Sequence, residues 1–319
     1  MSAAPVELSP RVTRLRAPNP GPMTLDGTNG YAIDGGGGRW IAVDPGPDID
    51  AHIEAFARTA AEAGAAYEAI VVTHGHPDHY PAAAPLARLT GAPVYAHALV
   101  PFAHDRTLSD GDRLTVGEAT LRVIEAPGHA RDHLVFYLED ERALFTGDVI
   151  LGRGTVVVAP PGGDMRAYQA TLRRLRDELP DAAAIYGGHG PEIRKPAETI
   201  AFYIAHREER ERAILAQLED GTKTIPALVT MIYRDVEERL WPAAARQLLA
   251  YLIALEREGR VVSVAVDREP DERERALLYP SSGPFGDERT RAVARAELGI
   301  GSAMPFLRYG LTSSRPPSS

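Results

Sequence analysis

The segment that most constrains this chain is Thr73-His74-Gly75-His76-Pro77-Asp78-His79, which follows directly on the apolar run Ala69-Ile70-Val71-Val72. A short run of that kind, bounded by a polar loop, reads as a buried strand. In extended backbone, residues two apart point to the same side, so His74 and His76 can grip one ion together. Pro77 then favours a turn, which frees Asp78 and His79 for a second ion. Three of the ten histidines fall in this one loop, a concentration that ordinary loop composition does not explain. The chain has no cysteine. Disulfides and thiolate sites are therefore excluded, and imidazole and carboxylate are the donors left for Zn²⁺ and related divalent ions.

Four ligands from one loop cannot complete two coordination shells, so further His and Asp residues are required at other strand ends. His129 stands in Ala126-Pro127-Gly128-His129, after the expected strand Thr120–Ala126. Asp148 closes Thr146-Gly147-Asp148 after Ala143-Leu144-Phe145, and His189 lies in Gly187-Gly188-His189-Gly190 after Ala183–Tyr186. Each is flanked by glycine, as a sharp backbone turn beside a bulky ligand requires. Taken singly, each reads more readily as an ordinary loop residue. Behind the His74 loop, and in this order, they read as one constellation.

Strands and helices alternate around these positions. Residues 21–50 read as two strands joined by a turn at Gly35–Gly38, and 51–64 as an Ala-rich helix. The spacing predicts a strand at 69–73, a helix near 81–90, a strand at 93–96, hairpins over 113–126 and 134–149, a helix at 165–179 and a strand at 183–187. That alternation points to an α/β sandwich with helices outside. Past residue 200 the pattern changes to a charged helix over 201–218, helices at about 225–234 and 242–258, and a β segment from Arg260 to Val266. Three helices and a β-ribbon describe a winged helix. The expected division is a catalytic domain over 1–200, a winged-helix domain over 201–268, and an extension over 269–319 of uncertain order with one helix near 287–298.

The set HxHxDH…H…D…H resembles the metallo-β-lactamase superfamily, whose hydrolases use an αββα sandwich; the resemblance spans about residues 10–200. It implies that His74, His76 and His129 hold one metal and that Asp78, His79 and His189 hold a second, with Asp148 bridging. Asp44, in Val43-Asp44-Pro45-Gly46, matches an early Asp turn that supports the ligand loop from behind, although a simple turn has the same sequence. Asn19–Asn29, Pro127-Gly128-His129 with Asp132-His133, Gly188–Pro191 and Tyr203–Arg207 are similar to the subgroup of β-lactamase-like protein 2, which carries a C-terminal winged helix. Tyr80 departs from the small residues usual after HxHxDH; it either narrows the pocket or packs on the next helix. His133 stands behind the ligands or serves structure alone. His52, His97, His104 and His206 are expected to be structural or surface residues.

Two divalent ions, expected to be zinc, at about 3.5–4 Å from each other make a bridging hydroxide available near neutral pH. Asp78 and Asp148 are expected to orient it and to carry a proton. No Gly-x-Ser-x-Gly elbow is present, consistent with a reaction that needs no serine nucleophile. Metal and fold leave the substrate open. A small ester, thioester or lactone is expected, as in related fungal thioesterases; single-stranded RNA, implied by the β-lactamase-like protein 2 resemblance, is the alternative. The net charge of −9 disfavours a general polyanion binder. Residues 205–268 hold ten Arg and Lys against eleven Asp and Glu, and the helix 242–258 has only Arg246 and Arg257 as bases. A lid, spacer or homodimer contact therefore suits the winged helix better than a DNA reader. The N-terminus shows no apolar secretory region and the chain no spanning run, so a cytoplasmic protein without membrane contact is expected.

Overall fold

Alternation at a period of two decides how the large sheets pack. The computed structural model describes residues 4–278 and 306–312. In chain order the first strands are β1 (Val6–Glu7), β2 (Val12–Arg16), β3 (Asn29–Asp34) and β4 (Arg39–Val43). Helix α1 (Asp50–Glu62), β5 (Ala66–Val71), α2 (Ala83–Thr90), β6 (Val94–His97) and β7 (Arg106–Leu108) follow. Next come β8 (Arg113–Val116), β9 (Ala119–Glu125), β10 (Leu134–Leu138), β11 (Ala143–Gly147), α3 (Met165–Glu178) and β12 (Ala184–Gly187). The C-terminal part holds α4 (Pro196–Glu219), β13 (Lys223–Thr224), α5 (Ile225–Ile232) and α6 (Trp241–Arg257). It ends with β14 (Val261–Ala265), α7 (Glu272–Leu278) and β15 (Leu307–Leu311).

Among the described residues, β1 to β7 form one sheet in sequence order and β12-β11-β10-β9-β8 a second. The β4–β5, β5–β6 and β6–β7 pairs are parallel, and α1 and α2 are the first two crossovers. Parallel strands need such connections, which cover the sheet's outer face. Odd residues Tyr31, Ile33, Ile41, Val43, Ala69 and Val71 enter the core between the sheets, where they meet Leu121, Val123, Phe136 and Phe145. Their even neighbours Ala32, Ala42, Ile70 and Val72 pack outward with Ile53, Phe56 and Leu86 of α1 and α2. On the second sheet Val135, Leu144 and Ile185 face the other way, towards Leu172 and Leu175 of α3. The result is the αββα sandwich.

Capping sets the helix starts. Asp164 accepts from the Arg166 and Ala167 amides at the head of α3, and Thr224 accepts from the Ala227 amide before α5. Helix α4 opens with Pro196 in its first turn, ahead of the expected start at Ala201, because proline there gives up no helical hydrogen bond. The sequence boundary at 200 thus falls inside one continuous helix.

Helices α4, α5 and α6 with the antiparallel sheet β13-β15-β14 make the winged helix. Its Ile214, Leu248, Tyr251 and Leu255 share one cluster with Leu144, Leu172 and Ile185 of the sandwich. Within the segment expected as an extension, Glu272–Leu278 is helical and Leu307–Leu311 is the middle strand of the wing. The helix expected near 287–298 lies outside the described residues. No described helix is long and apolar enough to cross a membrane.

Candidate metal centre

Each candidate ligand sits just past the C-terminal end of a strand: the His74 loop after β5, His129 after β9, Asp148 after β11 and His189 after β12. Glycine makes the convergence sterically feasible. A Cβ on Gly188 would lie 2.4 Å from Asp148 Oδ1 and 2.7 Å from His79 Cε1, and one on Gly147, at φ +44°, would lie 2.5 Å from Thr73 Oγ1. No larger residue fits at Gly188 without displacing the site.

The chain brings all seven residues into one cluster. Ligand atoms of His74, His76 and His129 lie within 4.8 Å of one another, as do those of His74, His79 and Asp148 and those of Asp78, His79 and His189. His129 Nε2 is 3.0 Å from His76 Nδ1, and His189 Nε2 is 3.2 Å from Asp78 Oδ2 and 3.4 Å from Asp148 Oδ2. His79 Nε2 lies 3.3 Å from Asp78 Oδ2 and 3.5 Å from Asp148 Oδ1. All are buried apart from His76, which is partly exposed.

The groups behind the ligands fix their orientation. Asp44, held at φ +46°, accepts from the Thr73 amide (2.7 Å), Thr73 Oγ1 (2.7 Å) and His79 Nδ1 (2.9 Å). It thereby points His79 Nε2 into the cluster. His133 stacks on His74 at 4.5 Å, and its Nε2 accepts from the Asp148 amide at 3.1 Å. His129 Nδ1 donates to Val157 O at 2.9 Å, and Asp132 accepts from the Gly75 amide at 2.8 Å. Tyr80 stacks on Phe102 at 4.3 Å and packs with the α1–α2 core; it does not line the cleft that opens beside Asp148 between Leu151 and Ala244. Buried His52 lies edge-on to Phe56, and His206 stacks on Phe202.

Several contributors escaped sequence reasoning. Thr28 Oγ1 donates to Asp78 Oδ2 at 3.0 Å, and Asn19 holds Thr28 through both its amide atoms. Asn29 Nδ2 and Tyr31 OH tie down Gly187 O, fixing the turn that carries His189. The Asn19–Asn29 stretch was legible as a pattern, but nothing local says which buried group it faces.

Electrostatics divides the donors. Burial, reinforced by neighbouring histidines, holds His74 well below the usual imidazole range and takes His76 down to about 3. Burial lowers His129 as well. These three are neutral donors. For His79 and His189 burial opposes the charge, but Asp78 and Asp148 overcome it, raising His79 strongly and His189 to about 10. The same pairs, against burial, hold both carboxylates low.

His74 Nε2, His79 Nε2, His189 Nε2, Asp78 Oδ1 and Asp148 Oδ1 are buried without a hydrogen-bond partner among the described residues. Buried polar atoms are rarely left so. Oxygen and imidazole nitrogen atoms orphaned around common points, with two carboxylates among them, fit divalent cations.

The metallo-beta-lactamase superfamily profile matches residues 23–189, and that of the beta-lactamase associated winged helix domain matches residues 224–268. The beta-lactamase-like protein 2 homolog of Caenorhabditis elegans is 36% identical over 270 residues, which covers 81% of this chain and 88% of that protein. Atrochrysone carboxyl ACP thioesterase AgnL7 of Paecilomyces divaricatus is 35% identical over 216 residues, or 67% of this chain and 66% of its own. The crystal structure of a metallo-beta-lactamase family protein from Thermus thermophilus is similar, with a TM-score of 0.68 at 27% identity over 81% of this chain and 97% of that one.

Proposed function

Since this chain belongs to the metallo-beta-lactamase superfamily of hydrolases, we propose that it is a dinuclear zinc enzyme that hydrolyses a small ester, thioester or lactone. In this reading His74, His76 and His129 would hold one ion and Asp78, His79 and His189 the other, with Asp148 also among the residues that would hold them. Ions bound there supply Lewis acidity and a water acidic enough to react near neutral pH. Hydrolysis places the oxygen of water on the acyl carbon, breaks the C–S or C–O bond and returns a proton to the departing sulfur or oxygen. Asp148 lines the adjoining cleft and Asp78 lies beside it in the cluster, which supports assigning these carboxylates the role of taking and returning that proton. Thr28 steadies Asp78 through its Oδ2, while Val157 O and Asp44 keep His129 and His79 in the orientation that presents Nε2.

The convergence of five such donor atoms, three from the loop after β5 and one each from the ends of β11 and β12, carries this reading. The thioester option is supported by a relative named as a carboxyl ACP thioesterase. Single-stranded RNA suits the C-terminal domain poorly, because on α6 Arg246 is buried and Arg257 pairs with Asp164 at 2.9 Å. Metal analysis with a panel of acyl thioesters, lactones and RNA tests the proposal. Two zinc equivalents per chain are expected, with acyl turnover lost on chelation and reduced at least ~100-fold in His76→Ala. Acyl turnover by the chelated protein, or RNA cleavage with no acyl turnover, would overturn it.

A further inference from the structure

A cleft of about 390 Å³ opens beside the metal centre, with Asp148 in its wall. Its size falls in the range of small-ligand sites. One side comes from the sandwich, through Met23, Leu151 and Val156; the other comes from the winged helix, through Val236, Leu240 and Ala244. Arg153 is the sole cation lining it among the described residues, and that guanidinium lies 3.3 Å from Asp26. Tyr233 and Gln247, also in the wall, hydrogen-bond each other at 3.3 Å. A phosphate chain would find a single cation here, one already paired with Asp26, whereas an aliphatic chain would exchange water for aliphatic neighbours along its length.

We propose that this cleft seats the aliphatic acyl chain of the substrate, with its carbonyl at the Asp148 end, and that the winged helix acts as the wall that selects chain length. The proposal rests on the acyl-hydrolase reading above. It assigns the C-terminal domain a direct part in binding: without α6 and the loop before it, the cleft has one side. The small side chains of Ala243 and Ala244 on α6 set how far that wall stands from the sandwich. Ala244 is almost fully buried, so a larger residue there must intrude on the cleft or push α6 away.

The test uses the full-length, zinc-loaded protein and a series of straight-chain acyl thioesters of N-acetylcysteamine from acetyl to dodecanoyl. For the wild type, kcat/KM should rise at least ~10-fold from acetyl to the best medium chain, since each methylene in an apolar pocket counts in discrimination. Ala244→Leu should lower the ratio of medium-chain to acetyl kcat/KM at least ~10-fold. Free straight-chain fatty acids should inhibit the wild type competitively and more tightly as they lengthen, a readout that stands even if Ala244→Leu does not fold. Turnover of all acyl lengths with equal kcat/KM, or inhibition independent of length, would overturn the cleft assignment and leave the hydrolase reading intact. RNA cleavage with no acyl turnover would instead overturn both.

Discussion

Asp44 shows how much of a metal site lies outside its ligands. Both carboxylate oxygens are engaged, one by the Thr73 amide and the other by Thr73 Oγ1 and His79 Nδ1, from a left-handed backbone position that aspartate tolerates better than most residues. Asp44→Ala should weaken divalent-metal binding by roughly 10- to 100-fold, the usual effect of removing a group that orients a histidine at such a site. Chelator competition against the wild type measures this, and unchanged affinity would remove Asp44 from the site. Protonation gives a second expectation at this scale. In the metal-free chain the pKa of His189 is raised from 6.5 to about 10, and that of His79 is raised as well. A raised folded pKa contributes stability that is complete below the unfolded value and is lost as pH climbs through the folded one. The Tm of chelated protein should therefore fall between pH 6.5 and 10. Divalent ions bound there would replace those protons, so metal-loaded protein should lose less over the same range.

Helix α4 is the element that joins the two halves. Tyr203 OH accepts from the Leu151 amide at 3.0 Å and donates to Gly154 O at 3.0 Å. One turn later, buried Arg207 lies over the Tyr168 ring at 5.1 Å and donates to Val156 O at 2.6 Å. The next carbonyl, Val157 O, accepts from His129. The first helix of the winged helix thus pins the backbone that lines the cleft and orients a candidate ligand. Tyr203→Phe keeps the shape but strands the buried Leu151 amide, which should cost about 1–3 kcal/mol. Denaturant unfolding reads that loss, and a variant as stable as the wild type would show that the clamp is idle.

At the scale of the whole molecule, the winged helix is not a tethered accessory. Its helices share a hydrophobic cluster with α3 and the second sheet, and Arg166 of α3 pairs with Glu258 after α6 and with Glu211 of α4. A shared core of this kind predicts that sandwich and winged helix unfold together. Scanning calorimetry of the metal-free chain should give one transition with equal calorimetric and van't Hoff enthalpies. Two separable transitions would mean that the shared cluster couples them too weakly to matter.

The division between local and distant information explains what could be read in advance. The period-two alternation of Tyr31, Ile33, Ile41 and Val43 and the candidate ligand loop after β5 depend on neighbours in the chain. The amino-acid order alone therefore determined the sandwich, the helical C-terminal part and the seven metal-centre candidates, because strand geometry and metal chemistry restrict those residues wherever the chain goes. Tertiary structure alone decided that Thr28 faces Asp78, that Tyr80 lies on Phe102 and that β15 enters the wing beside β14. It alone made a cleft from residues 22–25, 148–157 and 233–247. Such contacts join segments far apart in the chain, each able to pack against many surfaces. Only the summed burial of the folded core selects among them.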